Sequence, residues 1–228
     1  MKYLSLFSGI GGFEKGIIQA YEINRNIDVS EVRGGEENKE AEYEKGSGLH
    51  TISGKTTLPT DNTDNEHFNR GFNKGQPPCC VGYSEIDKYA CQVYEKHFPN
   101  HTNYGDITHI NEKELPDFDL LVGGVPCQSW SVAGKRGGFE DPRGNMWFES
   151  IKILRAKRPK YFLFENVKGL LSHDRGKSME RICEELCESG YAIDFDVLNS
   201  KNFGVPQNRE RVFIFGVRID LLDECQIF

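Results

Sequence analysis

Nowhere in the 228-residue sequence is there an apolar run long enough to span a bilayer, which takes about 20 predominantly apolar residues as a helix. A secretory segment at the start is missing too. The seven cysteines, at 79, 80, 91, 127, 183, 187 and 225, are an odd number, so reduced thiols in a cytoplasm are expected rather than a disulfide scaffold. There is no excess of positive charge. Lys and Arg number 28 against 35 Asp and Glu, a net −7, so composition by itself does not advertise a nucleic-acid binder, although it says little about a local phosphate-binding surface. The G-x-G-x-x-G fingerprint and the Walker lysine are both lacking. Cys183 and Cys187 stand four apart in a helical pattern with no second Cys or His pair at ligand spacing nearby, which reads as packing, and no metal is expected. No histidine is placed for a cysteine–histidine dyad, because His109 and His173 lie on polar turns.

What is present is an alternation of short apolar strands and helices. Tyr3–Phe7 is a compact strand, Ser8–Gly9–Ile10–Gly11–Gly12 a glycine turn, and Phe13–Tyr21 a helix. Strand, glycine turn and helix open a nucleotide-binding α/β unit, with the unpaired N–H groups of the helix amino end beside the turn. Asn24–Pro78 then breaks the pattern. It is rich in Gly and acidic residues, has no sustained period, and reads as a surface insertion leaving from the sheet edge opposite the active-site loops. Val81–Ser84 is the second strand and delivers Glu85 and Asp87. One of these alternate acids is expected to face a ribose-like diol and the other solvent or a helix amino end. Tyr89–Phe98 is a helix with Ala90, Val93, Tyr94 and His97 on its inner side, and Tyr104–Ile107 reads as a third strand end carrying Asp106. The fold class is therefore α/β, an open doubly wound Rossmann-like sheet of about seven strands, mostly parallel with the last pair antiparallel.

The strand Asp119–Val122 runs into Gly124–Val125–Pro126–Cys127–Gln128. Most cysteines are small buried hydrophobes, but one at the carboxyl end of a buried strand sits where open α/β sheets place their ligands. The following Ser129–Asn145 carries four glycines with Trp130, Lys135, Arg136, Phe139 and Arg143, the composition of a lid over a charged substrate. Met146–Leu154 is helical. Tyr161–Phe164 delivers Glu165 and Asn166 to the same edge as Cys127. Ser178–Ser189 is an amphipathic helix with Met179, Ile182, Cys183 and Leu186 inward, and Ala192–Leu198 and Arg211–Gly216 are two more strands. Between them, Gln207, Arg209 and Arg211 alternate onto one face of an extended segment. Beside a Cys and a Glu, such arginines become anion or phosphate clamps. A thiolate activated by Arg and a helix amino end suits conjugate addition to an electron-poor ring better than peptide hydrolysis.

Phe7–Ser8–Gly9–Ile10–Gly11, Glu85–Ile86–Asp87, Gly105–Asp106, Pro126–Cys127–Gln128, Glu165–Asn166–Val167 and Gln207-x-Arg209-x-Arg211, taken in order, resemble the motifs of the DNA cytosine-5 methyltransferase family. Asp141–Pro142–Arg143–Gly144 resembles the end of that family's active-site loop, and the likeness covers 1–23 and 79–218. The resemblance implies S-adenosyl-L-methionine as cofactor and double-stranded DNA as partner, with the target base flipped out of the stack. It implies that Cys127 attacks cytosine C6 while Glu165 donates toward N3, that Arg209 contacts the cytosine edge, that Arg211 supports the site beside Gln207, and that Asn166 braces the Cys loop. Phe7, Ser8, Gly9, Gly11, Glu85, Ile86, Asp106, Ile107 and Pro126 would line the cofactor site, with Glu85 on the ribose and Asp106 on the adenine amine. On this reading 1–228 is one catalytic domain with 24–78 inserted. The target-recognition domain and the C-terminal closing segment that the family carries are expected on a second polypeptide, as in a split enzyme of a restriction-modification system. A truncated or inactive methyltransferase-like binding or regulatory protein, and a tRNA cytosine-5 methyltransferase, are the alternatives.

Overall fold

The computed structural model describes residues 1–26, 76–126 and 146–222. Cys127, Gln128, the Ser129–Asn145 segment and nearly all of 24–78 lie outside the described residues. Six strands form one sheet: β1 (Lys2–Leu6), β2 (Cys79–Ser84), β3 (Leu120–Gly124), β4 (Tyr161–Val167), β5 (Tyr191–Asn199) and β6 (Glu210–Arg218), in the spatial order β2-β1-β3-β4-β6-β5. The first four are mutually parallel, and β6 runs antiparallel to both β4 and β5. The Rossmann-like class read from the sequence is thus present, with six strands among the described residues rather than about seven.

The missing strand is Tyr104–Ile107. Its backbone makes a single bridge, between Tyr83 and Asn103, and then turns into a short 3-10 segment at Ile107–His109. Gly105 sits at φ +71°, outside strand geometry, and the Asp106 side chain takes the Thr108 amide as a cap. Those two local features end strand pairing that the apolar pattern alone would permit.

Among the described residues four α-helices flank the sheet: α1 (Gly12–Asn26), α2 (Lys88–His97), α3 (Met146–Lys157) and α4 (Lys177–Glu188). Alternation along the strands divides the side chains between two faces. Leu4, Leu6, Leu121, Phe162, Phe164, Val212 and Ile214 pack with Trp147, Ile151, Leu154, Ile182 and Leu186 of α3 and α4 into the larger core. On the opposite face Tyr3, Leu120 and Val122 pack with Phe13 and Ile17 of α1, and the Tyr94 ring of α2 stacks on Tyr83 of β2 at 3.8 Å. Of the inner positions expected on α2, Tyr94 is buried and Ala90 is half-buried, but Val93 and His97 are exposed. The helix rolls so that Tyr94 and Phe98, rather than Val93 and His97, meet the glycine turn. No described helix covers the α1 face of β4, β6 and β5, where Phe215 stays 42% exposed and stacks on Tyr161.

The strand order fixes where a ligand can sit. From β1 the chain moves outward to β2, and from β3 it moves the other way to β4, so the loops after β1 and β3 diverge and leave a crevice at their carboxyl ends. Ser8–Gly12 and Gly124–Pro126 form its two lips. The chain returns from the 24–78 segment at Cys79, whose amide bonds the Met1 carbonyl at 3.0 Å. That is the amino-terminal edge of the sheet, away from the crevice. Among the described residues no helix is long and apolar enough to cross a membrane.

Candidate active site

One wall of the crevice is built from backbone turns. Phe7, at φ +52°, ends β1, and Gly9 (φ +54°) and Gly11 (φ +90°) carry the chain into α1. A side chain at Gly9 would meet nothing within 4 Å, whereas one at Gly11 would strike the Phe98 ring at 2.6 Å. Gly9 thus leaves room for a ligand, and Gly11 lets α1 lie against α2. The two acids after β2 divide as their alternation requires. Asp87 caps α2, accepting from the Tyr89 and Ala90 amides at 2.9 and 2.7 Å. Glu85 turns toward the glycine turn: its Oε2 accepts from the Gly9 amide, and its Oε1 from the Ile86 and Asp87 amides, each at 2.8 Å. A carboxylate offers about four acceptor sites. Three N–H groups therefore leave room for one hydroxyl donor on Oε2. Asp106 bonds the Thr108 amide and hydroxyl through Oδ1 at 2.9 and 2.8 Å. Those donors hold its carboxyl below the usual aspartate range, a fixed negative charge at the crevice rim. Ile86 is 73% exposed beside Glu85, Ile107 is buried beneath the rim, Phe7 is half-buried and the Ser8 hydroxyl bonds back to Ser5.

The other wall comes from β3, β4 and β6. Gly124 pairs with Glu165 across the parallel ladder, and a side chain at Gly124 would lie 3.6 Å from Glu165 Oε2. Glu165 and Arg211 share the α1 face, with Arg211 on the next strand two positions along the register. The Arg211 Nε donates to Glu165 Oε1 at 2.8 Å, with about a fifth of each side chain exposed. Arg209 Nη2 stands 3.9 Å from the same oxygen and is half exposed. Its guanidinium is therefore the freer of the two. Gln207 lies farther out, in a turn closed by its amide on the Val205 carbonyl, and is exposed. Asn166 points to the opposite face and is fully buried. Its Nδ2 donates to the Val125 carbonyl at 3.3 Å, and its Oδ1 accepts the Val167 amide at 2.8 Å. Val125 is buried and Pro126 half-buried, so the chain is held to β4 one residue before Pro126. Cys127, the expected nucleophile, follows outside the described residues.

The family model of C-5 cytosine-specific DNA methylases matches residues 66–226. The chain belongs to this family. Among its relatives are the orphan methyltransferase M.Rho11sI of Bacillus phage rho11s, 55% identical over 145 residues, covering 63% of this chain and 29% of that protein. The type II methyltransferase M.NlaIV of Neisseria lactamica is 45% identical over 157 residues, covering 65% of this chain and 37% of that protein. The chain thus spans only about a third of the length of these curated relatives. The crystal structure of the S. pombe Dnmt2 methyltransferase superposes with a TM-score of 0.61 over 96% of this chain and 51% of that one, at 19% identity, a likeness of fold.

Within this family framework two asparagines that the motif reading passed over prove to position others. Asn103 accepts the Glu85 and Gly105 amides through Oδ1 and donates to the Glu85 carbonyl, tying the two acid-bearing turns together. Asn199 accepts the Arg209 amide at 3.2 Å and bonds Asn208, fixing the start of the arginine segment. Asn two residues before a glycine, and Asn at the end of a strand, are turn formers. That signal was legible, but their partners lie in other elements. Among the described residues no cluster of His, Cys, Asp and Glu is arranged to hold a metal.

Proposed function

We propose that this chain is the catalytic part of an enzyme that transfers a methyl group from S-adenosyl-L-methionine to C5 of cytosine in DNA. The observation that carries the reading is the meeting of Glu165 and Arg211, at 2.8 Å, one strand away from the Gly124–Pro126 exit that leads into Cys127. The cofactor fits the other wall by its chemistry. Glu85 retains an acceptor site for a ribose hydroxyl, Asp106 for an amine, and the Gly9 surface is open. When bound, the cofactor supplies an electrophilic methyl on a sulfonium.

The chain's own residues would do the following. Cys127 Sγ, as thiolate, forms a bond to cytosine C6. The negative charge this pushes into the ring is met at N3, where Glu165 delivers a proton. Arg211 fixes the Glu165 carboxyl in place, and Arg209, half exposed, is available to the cytosine edge or a phosphate. C5 becomes nucleophilic and gains the methyl. Loss of the C5 proton to a base then expels the thiolate, and return of the N3 proton to Glu165 restores the neutral ring. Asn166 holds Val125 so that the Cys127 approach is fixed. Ser129–Asn145 would close over the flipped base, in the cell interior where the DNA lies.

The target-recognition and closing segments are proposed to come from a second polypeptide. The half-exposed Tyr161–Phe215 surface supports this, an apolar sheet face with nothing described over it. The test is covalent trapping on duplex DNA containing 5-fluorocytosine, with cofactor. The chain would be tried alone, and mixed with the part of the phage rho11s relative that it does not match. A protein–DNA adduct is expected in the mixture and is absent with Cys127→Ser. No adduct in either condition, or one that survives Cys127→Ser, refutes the catalytic reading. A strong adduct with the chain alone refutes only the need for a partner. Labelling tRNA in preference to duplex DNA refutes the substrate assignment.

A further inference from the structure

Glu14 lies in the first turn of α1, three residues beyond Gly11, and none of the motif reasoning uses it. It is fully buried. One carboxyl oxygen, Oε1, accepts the Tyr94 hydroxyl of α2 at 3.0 Å. The other, Oε2, is buried and makes no hydrogen bond of regular geometry, although the Ser5 hydroxyl is near enough to favour the charged form slightly. No Lys or Arg pairs with Glu14 among the described residues. A lone buried carboxylate without a cation is costly, whereas a neutral carboxyl in the same place is tolerable. The Tyr94 hydroxyl also meets His101 Nδ1 at 3.0 Å, and His101 stacks on Phe98 at 5.1 Å. Three groups are therefore linked in a line, from α1 through α2 to the segment that follows it.

The line passes under the glycine turn. The Tyr94 and Phe98 rings are the atoms a side chain at Gly11 would strike. At the other end of the same helix, just before its cap, Glu85 holds the Gly9 amide. The turn is thus gripped at Gly9 by the start of the α2 segment and at Gly11 by its end, and only the second grip contains a buried acid.

We propose that Glu14 is a positioning residue, acting in its neutral form through Tyr94 and His101 to lock α1 onto α2 and so set the Gly9–Gly11 turn that receives the cofactor. The inference rests on reading that turn as the cofactor cradle, but its effect on the turn is measurable without cofactor, DNA or partner. Burial raises the Glu14 carboxyl above the usual glutamate range, against the lowering influence of Ser5, its own amide and Tyr94. Burial lowers His101. The other titratable groups facing the line are Tyr3 on β1, Cys80 on β2 and Tyr94 itself. Burial lifts all three, the Cys80 thiol to about 11, so none of them ionises near neutrality. The stacked Tyr83 is likewise lifted, to about 12.

The signs follow. A carboxyl whose folded pKa is raised gives its full contribution at low pH and loses stability as pH rises from its unfolded value through its folded one. His101, lowered, works oppositely and loses stability as pH falls through its unfolded value. Comparing Glu14→Gln with the parent cancels the histidine, so the variant's stability relative to the parent should rise with pH above about 4.5. Urea unfolding across pH measures this. The second readout is amide hydrogen exchange on the full chain at Gly9 and Gly11, whose N–H groups bond Glu85 Oε2 and the Ser8 carbonyl. Glu14→Gln, which keeps the shape and the acceptor, should preserve protection there. Glu14→Ala and Tyr94→Phe should each lose about tenfold at those amides, and little in β4 and β6. If Glu14→Ala does not fold, Tyr94→Phe carries the test by itself. A flat pH difference for Glu14→Gln refutes the neutral acid. Unchanged Gly9 and Gly11 exchange in Tyr94→Phe, or equal losses throughout the sheet, refutes the positioning role.

Discussion

Asn166→Ala removes a side chain that is fully buried and makes two bonds of different kinds. Its Oδ1 accepts the amide of Val167, and its Nδ2 donates to the carbonyl of Val125 on the neighbouring crossover. Alanine leaves a buried donor and a buried acceptor unpaired, each worth about 1–3 kcal/mol. The 3.3 Å bond to Val125 is the longer and weaker of the two, so the sum should fall at about 2–4 kcal/mol. Urea unfolding followed by tryptophan fluorescence would report it, because Trp147 is buried in the same core as Val125. Asn166→Asp separates the two bonds. The Val167 amide keeps its acceptor, but the second oxygen now faces the Val125 carbonyl and is tolerable only when protonated. Its folded pKa is then raised, so this variant should approach the parent in stability below about pH 4. It should lose up to about 1.4 kcal/mol per pH unit as pH rises from there, until the folded pKa is passed. A loss below about 0.5 kcal/mol in Asn166→Ala, or a pH-independent penalty in Asn166→Asp, would show that Asn166 does not fasten the Val125–Pro126 lip.

Other perturbations test separate joints. A side chain at Gly216 would come within 2.0 Å of the Phe162 ring, which is wedged between Phe164 and Tyr191. Gly216→Ala should therefore destabilise by about 1–3 kcal/mol or more, and Phe162→Leu in the same chain should recover part of that loss in a double-mutant cycle. Arg211→Lys keeps the charge but not the Nε donor geometry at Glu165. The 5-fluorocytosine adduct should form at least tenfold more slowly, with stability changed by less than about 1 kcal/mol. Gly11→Ala faces both the positive φ and the Phe98 ring. It should lower stability in urea unfolding more than Gly9→Ser, which shares the positive φ but meets open space, while Gly9→Ser, projecting into the room left for the cofactor, should weaken S-adenosylhomocysteine binding in calorimetry.

The legible parts of this molecule were those carried by local chemistry. Short apolar runs bounded by turn residues placed all six strands of the sheet in their order along the chain, because buried strands read as brief apolar stretches. The division between Glu85 and Asp87 followed from the alternation of side chains along extended backbone. Tyr104–Ile107 was misread because its pattern is apolar enough for a strand, while Gly105 and the Asp106 cap turn the backbone away. The inner face of α2 was misjudged because periodicity fixes which residues share a stripe, and not how the helix rolls against Gly11.

The sequence by itself determined the alternation of strands and helices, the glycine turn, and the carriage of an acid or an arginine at each strand end, since these depend on neighbours along the chain. Only the tertiary structure decided that Arg211 rather than Arg209 closes on Glu165, and that Asn103 and Asn199 hold other segments in place. It alone placed an uncompensated acid, Glu14, beneath the glycine turn. These pairings join residues from 10 to 80 positions apart. Their geometry is set by strand register and helix roll, which no local stretch of chain encodes.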